Sequence, residues 1–328
     1  MTPDLNQLAV VVPAYNAENT IGRTISALLA DGMSADSIIV VDDGSADGTA
    51  EVVKQYPSVK YIYQKNAGPA AARNTGWKAS SSDVVIFTDS DCVPRPGWAE
   101  ALLAGFDSPD GGEIGAVTGS YDIANGDRIL PRLIHEEIKE RHESYGRLIR
   151  FFGSYNVAIR REVLEKTGGF DESYRRASGE DNDLSYRVQK LGYKIAFAPG
   201  ALVGHYHTVS LKKYLREQYT HGYWRIKLYK AHPGMRGGDD YTKKKDIIEP
   251  PLSLLNLLSI AALPFYAPPF VLSAAVLFAI QLPWAVKIAL RKKEVSYLVF
   301  APVGFLRSYA RGIGMLKGFI RFFIMGMK

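Results

Sequence analysis

The stretch Val84-Val85-Ile86-Phe87-Thr88-Asp89-Ser90-Asp91 joins an apolar run to two carboxylates spaced one residue apart. An apolar run of this length, bounded by polar residues, predicts a buried strand of an α/β sheet. Ligand sites in such sheets lie at the carboxyl ends of the strands, which is where Asp89 and Asp91 fall. Carboxylate oxygens suit Mg²⁺ or Mn²⁺, which commonly complete their shells with water and substrate phosphates. The stretch therefore indicates a nucleotide-diphosphate site, unless the two aspartates are simply solvated turn residues.

The chain before this stretch alternates between β-branched runs and segments with helical spacing. Strands are predicted at 8–12, 37–41 and 59–63, and helices at 20–30, from Thr49 onward and at 70–79. Gly68-Pro69 is typical of the start of the last of these helices. Strands that alternate with helices in such short units predict a mostly parallel sheet with right-handed crossovers, and hence an α/β fold.

Beyond Trp98 the pattern is looser. Strands are predicted at 116–120 and 157–159, a short helix at 161–167, and a longer helix at 181–191 that ends at Gly192. The charged stretch 132–150 is expected to be helical or mobile. These elements extend the α/β pattern but do not by themselves determine the order of the strands.

Charge is unevenly distributed along the 328 residues, which carry a net charge of +6. Residues 205–328 contain 19 Lys and Arg against 6 Asp and Glu, a net charge of +13, whereas residues 1–204 carry −7. This asymmetry favours an anionic membrane surface as partner, and no helix-turn-helix, zinc-finger or RNA-binding motif supports nucleic acid. The single Cys92 excludes an intramolecular disulfide, and residues 1–8 lack the pattern of a secretory signal.

Two apolar segments, 252–267 and 270–286, contain no charged residue, and Lys287 directly follows the second. Lys243-Lys244-Lys245 precedes the pair and Arg291-Lys292-Lys293 follows it, so positive residues flank both outer ends. This pattern predicts a transmembrane helical hairpin at 251–290, with two spans and both ends on the cytoplasmic side. Each segment is near or below the about 20 residues that span a bilayer, so a re-entrant or interfacial hairpin, or a buried helix, stays open.

The regions on either side of the hairpin are basic and amphipathic. Residues 211–250 are interpreted as an interface helix, with aromatic residues among the lysines, and a linker. Residues 291–328 place basic side chains among apolar ones, which predicts a helix on the membrane surface that binds anionic headgroups. Those basic residues are Arg307, Arg311, Lys317 and Arg321. The alternative is a helix packed on the rest of the protein or on a second subunit.

Five short motifs occur in an order that resembles the family 2 glycosyltransferases. They are Val11-Val12-Pro13-Ala14-Tyr15-Asn16, Val40-Val41-Asp42-Asp43-Gly44-Ser45, Asn74-Thr75-Gly76, Thr88-Asp89-Ser90-Asp91 and Gly179-Glu180-Asp181-Asn182-Asp183-Leu184. Each motif alone is weak, but five at these separations are specific, and the resemblance covers roughly residues 8–207. It implies a GT-A nucleotide-diphospho-sugar transferase fold at 1–210, of the membrane-associated bacterial or archaeal type, and an inverting sugar transfer from an activated donor.

The resemblance implies which residues bind the nucleotide. Pro13, Tyr15 and Asn16 match the base pocket, and Asp42 matches the carboxylate that accepts a hydrogen bond from the base. A carboxylate is acceptor-only, so it can pair with the N–H of uracil or guanine. Arg73 is expected near the base or the diphosphate, where a permanent cation is useful, unless it is an ordinary arginine on a helix surface.

The resemblance also assigns the DxD residues. Asp89 and Ser90 are expected at the donor nucleotide, with Asp89 and Asp91 as metal ligands and Asp91 as the more direct of the two. His205 and His207 are separated by one residue and would face the same side of an extended segment, so one of them, taken as His207, could complete the shell. Alternatively both histidines are polar loop residues.

Single displacement at the anomeric carbon needs a base that takes the acceptor proton. By the resemblance Asp181 matches that base, and Glu180 orients the acceptor or tunes Asp181. Gly179 leaves room for close approach, and a helix start stabilises carboxylates by its dipole. That dipole also supplies the alternative, because Glu180 and Asp181 could simply form an acidic first turn.

These features together predict an inverting, metal-dependent glycosyltransferase with Mg²⁺ or Mn²⁺ as cofactor. The donor would be a nucleotide-diphospho-sugar, with UDP favoured, and the acceptor a polyprenyl phosphate or polyprenyl-diphosphate saccharide. The enzyme would lie on the cytoplasmic face of the inner membrane and serve surface polysaccharide or protein glycosylation. One alternative is a processive polysaccharide synthase, although Gln218 and Trp224 have the wrong spacing for its QxxRW motif. A non-catalytic nucleotide-sugar-binding scaffold is the other, and the sequence does not predict an oligomeric state.

Overall fold

The computed structural model describes residues 8–107, 112–176 and 178–326. They divide into two units. Unit 1 consists of Met1–Asn125 and Ile138–His207, and unit 2 of Gly126–Glu137 and Thr208–Lys328. The first seven residues, for which no secretory signal is expected, lie outside the described part of the chain. The boundaries predicted at 210, 250 and 290 stay predictions.

Unit 1 begins with regular strand–helix units. They are β1 (Leu8–Ala14), α1 (Ile21–Ala30), β2 (Ile38–Asp42), α2 (Thr49–Val53), β3 (Lys60–Tyr63), α3 (Pro69–Lys78) and β4 (Val84–Thr88). All residues of β2 and β4 are buried, which explains their continuous apolar sequences. Helix α3 packs closely on the sheet, because a Cβ at Gly76 would overlap the Val11 side chain. These elements lie within one or two residues of their predicted positions.

The second half of unit 1 adds shorter and less regular elements. They are β5 (Cys92–Pro94), α4 (Trp98–Ala104), β6 (Ile114–Ile123), α5 (Ile129–His142), β7 (Leu148–Ile149), β8 (Asn156–Arg160), α6 (Arg161–Thr167), α7 (Glu180–Lys190) and β9 (Lys194–His205). The first nine residues of α5 belong to unit 2. Four of these elements, β5, α4, β7 and β9, are not among those predicted from the sequence. Pro199 and Gly200 interrupt the apolar pattern of β9, and both are exposed within an otherwise largely buried strand.

The nine strands of the described residues form one sheet in the order β3-β2-β1-β4-β8-β6-β9-β5, with β7 paired to β9. Strands β1 to β4 are parallel to one another, as predicted. Beyond β4 the sheet is mixed, because β8 runs antiparallel to both β4 and β6 while β9 runs parallel to β6. Apolar clusters cover both faces of the sheet. This α/β architecture brings the carboxyl ends of β1, β2 and β4 to one edge.

Unit 2 is helical. Besides the start of α5, it contains α8 (Leu211–Ala231), α9 (Lys244–Ser259), α10 (Pro268–Ala279), α11 (Leu282–Lys292) and α12 (Phe300–Phe319), followed by a π-helical turn at Ile320–Ile324. Helices α8 and α12 approach closely through glycine. A Cβ at Gly222 would overlap the backbone of Arg311, and one at Gly314 would overlap that of Tyr219.

Unit 2 buries several charged and amide side chains and exposes many large apolar ones, which is unusual for a water-soluble helical bundle. Glu249, Gln281 and Arg307 are fully buried, whereas Phe265 is 90% exposed and Leu258 72% exposed. Charged side chains therefore lie inside this unit, and large apolar side chains cover much of its surface.

This arrangement corrects the prediction that Arg307 and Arg311 face lipid headgroups, whereas Lys317 and Arg321 are exposed and their contact with headgroups stays a prediction. Arg307 is buried and pairs with Glu137, and Arg311 pairs with Asp246 at 2.8 Å. These acids lie on α5 and α9, so they attract the two arginines inward. In the described part of the chain, one helical stretch, Pro268–Lys292, is long and apolar enough to cross a membrane by length and composition alone. The first predicted apolar segment is instead the second half of α9 and a 3₁₀ turn.

Candidate functional site

The candidate site lies at the carboxyl ends of the parallel strands. Strand β1 lies between β2 and β4, so the loops that follow these three strands converge at one edge of the sheet. Every site residue predicted from the sequence belongs to unit 1. The structure groups most of them into three clusters.

The first cluster joins the loops after β1 and β2. Asn16 has a positive φ of 51°, and its N–H donates to the Ser45 hydroxyl at 2.9 Å. The Asn16 side-chain oxygen in turn accepts from the Ala46 N–H at 2.9 Å. Pro13 is half-buried in β1, while the ring of Tyr15 is 54% exposed. Asn16 therefore holds the two loops together beside an exposed aromatic ring.

Asp42, at the end of β2, is 1% exposed. One carboxylate oxygen accepts from the Ser45 N–H at 2.8 Å and the other from the Tyr61 hydroxyl at 2.7 Å. Burial, together with that hydrogen bond and the Asp42 charge, raises the pKa of Tyr61, so the hydroxyl stays a donor. Each oxygen keeps a second lone pair. The role of Asp42 at the donor base stays a prediction.

Asp43 has a structural role, and from the sequence it was named only as part of a motif. Its carboxylate accepts from the Gln64 side chain at 2.6 Å, from the Ala67 N–H at 2.8 Å and from the Gly68 N–H at 2.9 Å. Gly68 has a φ of +97°, and a side chain there would press on the backbone of Arg175. Asp43 thus fixes the loop that leads into α3. In the sequence, the only indication of this structural role was that a second acid directly follows Asp42.

The second cluster is centred on Arg73, which is buried. One terminal nitrogen contacts Asp89 Oδ1 at 2.8 Å, and the other contacts Glu180 Oε1 at 3.0 Å. The alternative of an ordinary arginine on a helix surface is therefore wrong. Because both terminal nitrogens bind carboxylates, Arg73 links the end of β4 to the start of α7. Its predicted contact with the base or the diphosphate stays a prediction.

Glu180 is the first residue of α7 and is 2% exposed. Its second oxygen accepts from the Ser178 N–H at 2.7 Å. Burial raises the pKa of Glu180, although the Arg73 charge opposes that shift. Asp181 is half-buried, and its Oδ1 accepts from the Asn182 N–H at 2.8 Å. Glu180 is therefore anchored by specific partners, unlike a solvated residue of an acidic first turn.

The third cluster surrounds Asp91. His205 Nε2 lies 3.7 Å from Asp91 Oδ1, and one ligand atom from each of Asp91, Cys92 and His205 lies within 4.8 Å of the others. Burial, with the charges of Asp91 and Asp89, raises the pKa of Cys92 well above its usual value, so the thiol is a poor metal ligand. A carboxylate and an imidazole together suit Mn²⁺. Ser90 lies in the turn, where Cys92 N–H donates to the Asp89 carbonyl at 3.0 Å.

Of the two histidines, His205 lies beside Asp91, and His207 contacts His205. The Nδ1 atoms of the two rings are 3.1 Å apart, and His207 is 5% exposed. Asn125 holds the backbone of His207 through hydrogen bonds of 2.6 and 3.0 Å. The structure therefore gives the position next to Asp91 to His205, whereas His207 is the candidate ligand predicted from the sequence.

An aromatic pair that was not predicted from the sequence packs against these histidines. The Tyr121 ring stacks on Tyr155 with 3.8 Å between centroids, and its edge meets His205 at 5.0 Å. Tyr121 reaches His205 because β6 and β9 pair in parallel in this region. No sequence spacing indicates this contact, since the two strands are about 80 residues apart.

Two known family models match parts of the chain. Residues 9–168 match the model of glycosyl transferase family 2, and residues 139–212 match a model described as the N-terminal domain of galactosyltransferase. The two matches together extend from β1 to the start of α8.

Curated relatives lie at about 30% identity. The chain is 30% identical over 249 residues to the pre-mycofactocin glycosyltransferase of Mycobacterium tuberculosis, covering 70% of this chain and 49% of the relative. It is 32% identical over 232 residues to the probable glycosyltransferase YdaM of Bacillus subtilis, covering 66% and 54%. Glycosyltransferase AglE of Haloferax volcanii is 28% identical over 239 residues, covering 70% and 76%. The chain thus spans about half the length of the first two relatives.

A solved structure shows the same fold over nearly the whole chain. It is a mannosyltransferase, PcManGT from Pyrobaculum calidifontis, described in complex with GDP-Man and Mn²⁺. The TM-score is 0.58 at 20% identity, covering 96% of this chain and 89% of that one. With the match over residues 9–168, the chain belongs to glycosyl transferase family 2 and has a GT-A fold.

Proposed function

We propose that this protein is an inverting glycosyltransferase that moves a sugar from a nucleotide-diphospho-sugar, with UDP-sugars favoured, to a lipid-linked acceptor. The observation that carries the proposal is the pair of carboxylates, Asp89 and Asp91, at the carboxyl end of β4 in a family 2 domain. The base pocket would be formed by Pro13, Tyr15 and Asn16, which lie beside Asp42 at the same edge of the sheet. Ligands of α/β sheets bind at such an edge.

A divalent cation fits the third cluster. Asp91 and His205 would hold it, with Asp89 on the adjacent turn, and the imidazole favours Mn²⁺ over Mg²⁺. When bound, the ion would neutralise charge on the departing nucleoside diphosphate. The mannosyltransferase described with Mn²⁺ shares the fold, which supports the choice of metal.

The chemistry assigns different tasks to the two acids at the start of α7. An acceptor oxygen forms a bond to the anomeric carbon while the bond from that carbon to the diphosphate oxygen breaks, and its electron pair leaves with the nucleoside diphosphate. Asp181 would take the proton of an acceptor hydroxyl. Both oxygens of Glu180 are held, by Arg73 and the Ser178 N–H, so Glu180 positions the helix start rather than receiving the proton.

The burial pattern of unit 2 supports attachment to a membrane. Charged side chains such as Glu249 and Arg307 are buried, and its surface carries Leu258, Phe265 and many other exposed apolar residues. Basic residues at both ends of 243–293 favour the cytoplasmic face of the inner membrane. An enzyme held at that face reaches acceptors borne on polyprenyl phosphate or polyprenyl diphosphate, which serve surface polysaccharide or protein glycosylation.

The experiment uses the purified full chain and radiolabelled UDP-, GDP- and dTDP-sugars, each with Mn²⁺, Mg²⁺ or chelator. Acceptors are polyprenyl phosphate and a polyprenyl-diphosphate saccharide. We expect one nucleotide to support transfer that chelator abolishes, and Asp91→Asn to lower it strongly. Asp127→Asn, at an exposed aspartate of unit 2, is the matched control and should leave the rate unchanged.

Asp181→Asn separates the two acceptor classes. Transfer to a saccharide hydroxyl should fall by about 10² to 10⁴-fold, the usual contribution of a general base. A phosphate acceptor is already ionised near neutral pH, so transfer to polyprenyl phosphate should fall far less. If a donor stabilises the folded chain but is never turned over, the glycosyltransferase proposal fails and a nucleotide-sugar-binding scaffold replaces it. If no donor is turned over or stabilises the folded chain with any metal, both proposals fail.

A further inference from the structure

Unit 2 contains a layer of buried or largely buried charged and amide side chains, which we call the polar layer: Glu137, Lys245, Glu249, Gln281 and Arg307. The Gln281 amide donates to Glu249 Oε1 at 2.9 Å, and Arg307 contacts Glu137 at 2.6 Å and Glu249 at 3.7 Å. Lys245 Nζ lies 3.2 Å from the other oxygen of Glu137. The polar layer ties four helices together: α5, α9, α12 and the helical stretch at the junction of α10 and α11.

On one side of the polar layer, α9 and α10 continue as two packed arms. The Asn256 amide donates to the Phe270 carbonyl and to the Ser273 hydroxyl, each at 2.9 Å, and Asn256 is 1% exposed. The Tyr309 hydroxyl donates to the same side chain. The arms are therefore a fixed hairpin, and residues 263–267 form its tip.

The outer surface of this hairpin is apolar and carries no charge. Its most exposed large side chains are Leu255, Leu258, Phe265, Tyr266, Val271 and Leu272, with exposures from 60% to 90%. Residues 250–280 contain no Asp, Glu, Lys or Arg. The two ends of the hairpin, which we call its roots, are cationic. Lys243-Lys244-Lys245 precedes the hairpin and Arg291-Lys292-Lys293 follows it. An apolar projection with cationic roots complements a bilayer whose surface is anionic.

The arms are too short to reach across a bilayer. Beyond Glu249 and before Gln281 each arm has about 13 residues, which at about 1.5 Å per residue extend about 20 Å. The hydrocarbon core is about 30 Å thick. The longer stretch Pro268–Lys292 could cross only by placing Gln281, and with it Glu249 and Arg307, inside the hydrocarbon. Buried charges are costly there, whereas at the headgroup level they are readily accommodated.

We infer that residues 250–280 form a re-entrant hairpin that enters one leaflet from the cytoplasmic face, turns near the middle of the bilayer and returns to the same face. The polar layer marks the level of the headgroups. The partner is the acyl-chain region of that leaflet. The inference rests on the membrane attachment proposed above, not on sugar transfer, and it replaces the fully spanning hairpin that the sequence favoured.

The tip supplies the test, because Phe265 is 90% exposed and its replacement disturbs no packing. Phe265→Cys, which introduces the tip thiol, is compared with Tyr63→Cys, which introduces a reference thiol at an aromatic residue of unit 1 that is 63% exposed. The native Cys92 is buried, so the wild-type chain provides the blank. Each full-length variant is placed in sealed membrane vesicles, in separate preparations that expose one or the other face of the membrane. The vesicles are then treated with a membrane-impermeant maleimide.

We expect the reference thiol to react from one side. The tip thiol should react at least about tenfold more slowly from either side, because the hydrocarbon core excludes the reagent. A fluorophore attached to the tip thiol should be quenched more by lipids brominated near the end of the acyl chain than by those brominated near the headgroup.

Three results would overturn the inference. Reaction of the tip thiol from the side opposite to the reference thiol would show a spanning hairpin. Reaction of both thiols from the same side, without quenching at the tip, would show a hairpin outside the bilayer. Recovery of the full chain among soluble proteins would remove the membrane attachment as well. None of these readouts needs a sugar donor, so they are independent of whether the glycosyltransferase proposal succeeds.

Discussion

Two buried arginines, one in each unit, perform the same task in opposite surroundings. Arg73 joins Asp89 and Glu180 at the edge of the sheet in unit 1, and Arg307 joins Glu137 and Glu249 among the helices of unit 2. Asp89 keeps a side-chain exposure of 32%, whereas Glu249 is fully buried. In unit 1 the polar cluster opens to solvent, and in unit 2 it is enclosed by helices whose outer surface is apolar.

The difference shows what each cluster is suited to do. A cluster that opens to solvent can admit a polar ligand, so the Arg73 cluster can couple ligand binding at β4 to the start of α7. A cluster that is sealed can only hold helices in register, which is the best-attested use of buried ion pairs. Four measurements test this contrast, and the first two concern the arginines themselves.

Arg307→Met should have the largest effect on stability. It leaves Glu137 and Glu249 buried without their cation, and breaking a buried pair in this way costs about 4 kcal/mol. Thermal unfolding of the full chain in detergent, followed by circular dichroism, measures the loss. Arg307→Met combined with Glu137→Gln and Glu249→Gln should recover much of it, and no recovery would show that Arg307 acts through packing.

Arg73→Met should cost less, about 3 kcal/mol, because water can reach Asp89 and partly replace the missing charge. Its effect on transfer should exceed that of Arg73→Lys, which keeps the charge but cannot bridge two carboxylates with a planar fork. Steady-state kinetics of the two variants, with Arg128→Met at an exposed site of unit 2 as control, provide the comparison. A wild-type rate for Arg73→Lys would contradict the bridging role.

Asp43→Ala should destabilise unit 1 by about 2 kcal/mol, because the N–H groups of Ala67 and Gly68 lose their acceptor. Chemical denaturation measures this change. Asp83→Ala, at an exposed aspartate just before β4, is the control and should stay within about 0.5 kcal/mol of the wild type. A variant at Asp43 as stable as this control would show that the loop into α3 is held by other contacts.

The smallest effect is expected from pH. Burial alone would raise the pKa of Glu136, but Lys292 and Arg291 outweigh it through hydrogen bonds and charge, so the net shift is downward. A carboxyl with a lowered pKa contributes stability above its ordinary value, about 4.3, and loses it as the pH falls below that value. With partly exposed partners the contribution is about 1 kcal/mol. Glu136→Gln should flatten the acid side of the stability profile of unit 2, and an unchanged slope would assign the acid sensitivity elsewhere.

The sequence predicts the first half of unit 1 accurately because local signals agree there. Strands β2 and β4 are buried on both faces, so their apolar runs are continuous, and Gly68-Pro69 marks the start of α3. Beyond β4 the order of strands depends on pairings between distant segments. The break at Pro199-Gly200 conceals β9, and with it the contact between Tyr121 and His205.

In unit 2 the sequence does not predict which way the basic side chains point. The basic residues of α12 recur at a spacing that is equally compatible with a face toward lipid and a face toward the protein. The acids that attract them lie far away in sequence, 170 residues from Arg307 in the case of Glu137. The same limit applies to Arg73, whose contact with Glu180 joins residues 107 apart. Composition therefore indicated a membrane-associated region, but not which of its charges are internal.

Unit 2 takes residues 126–137 from the middle of the chain, and this has a consequence for synthesis. Leu133, in that segment, is buried against residues such as Ile288 and Phe300, which the ribosome adds more than 150 positions later. An emerging chain that ends near His207 would carry this apolar segment uncovered until α11 and α12 appear. A truncated chain ending at residue 207 should therefore aggregate or bind chaperones unless Leu133 is also made polar.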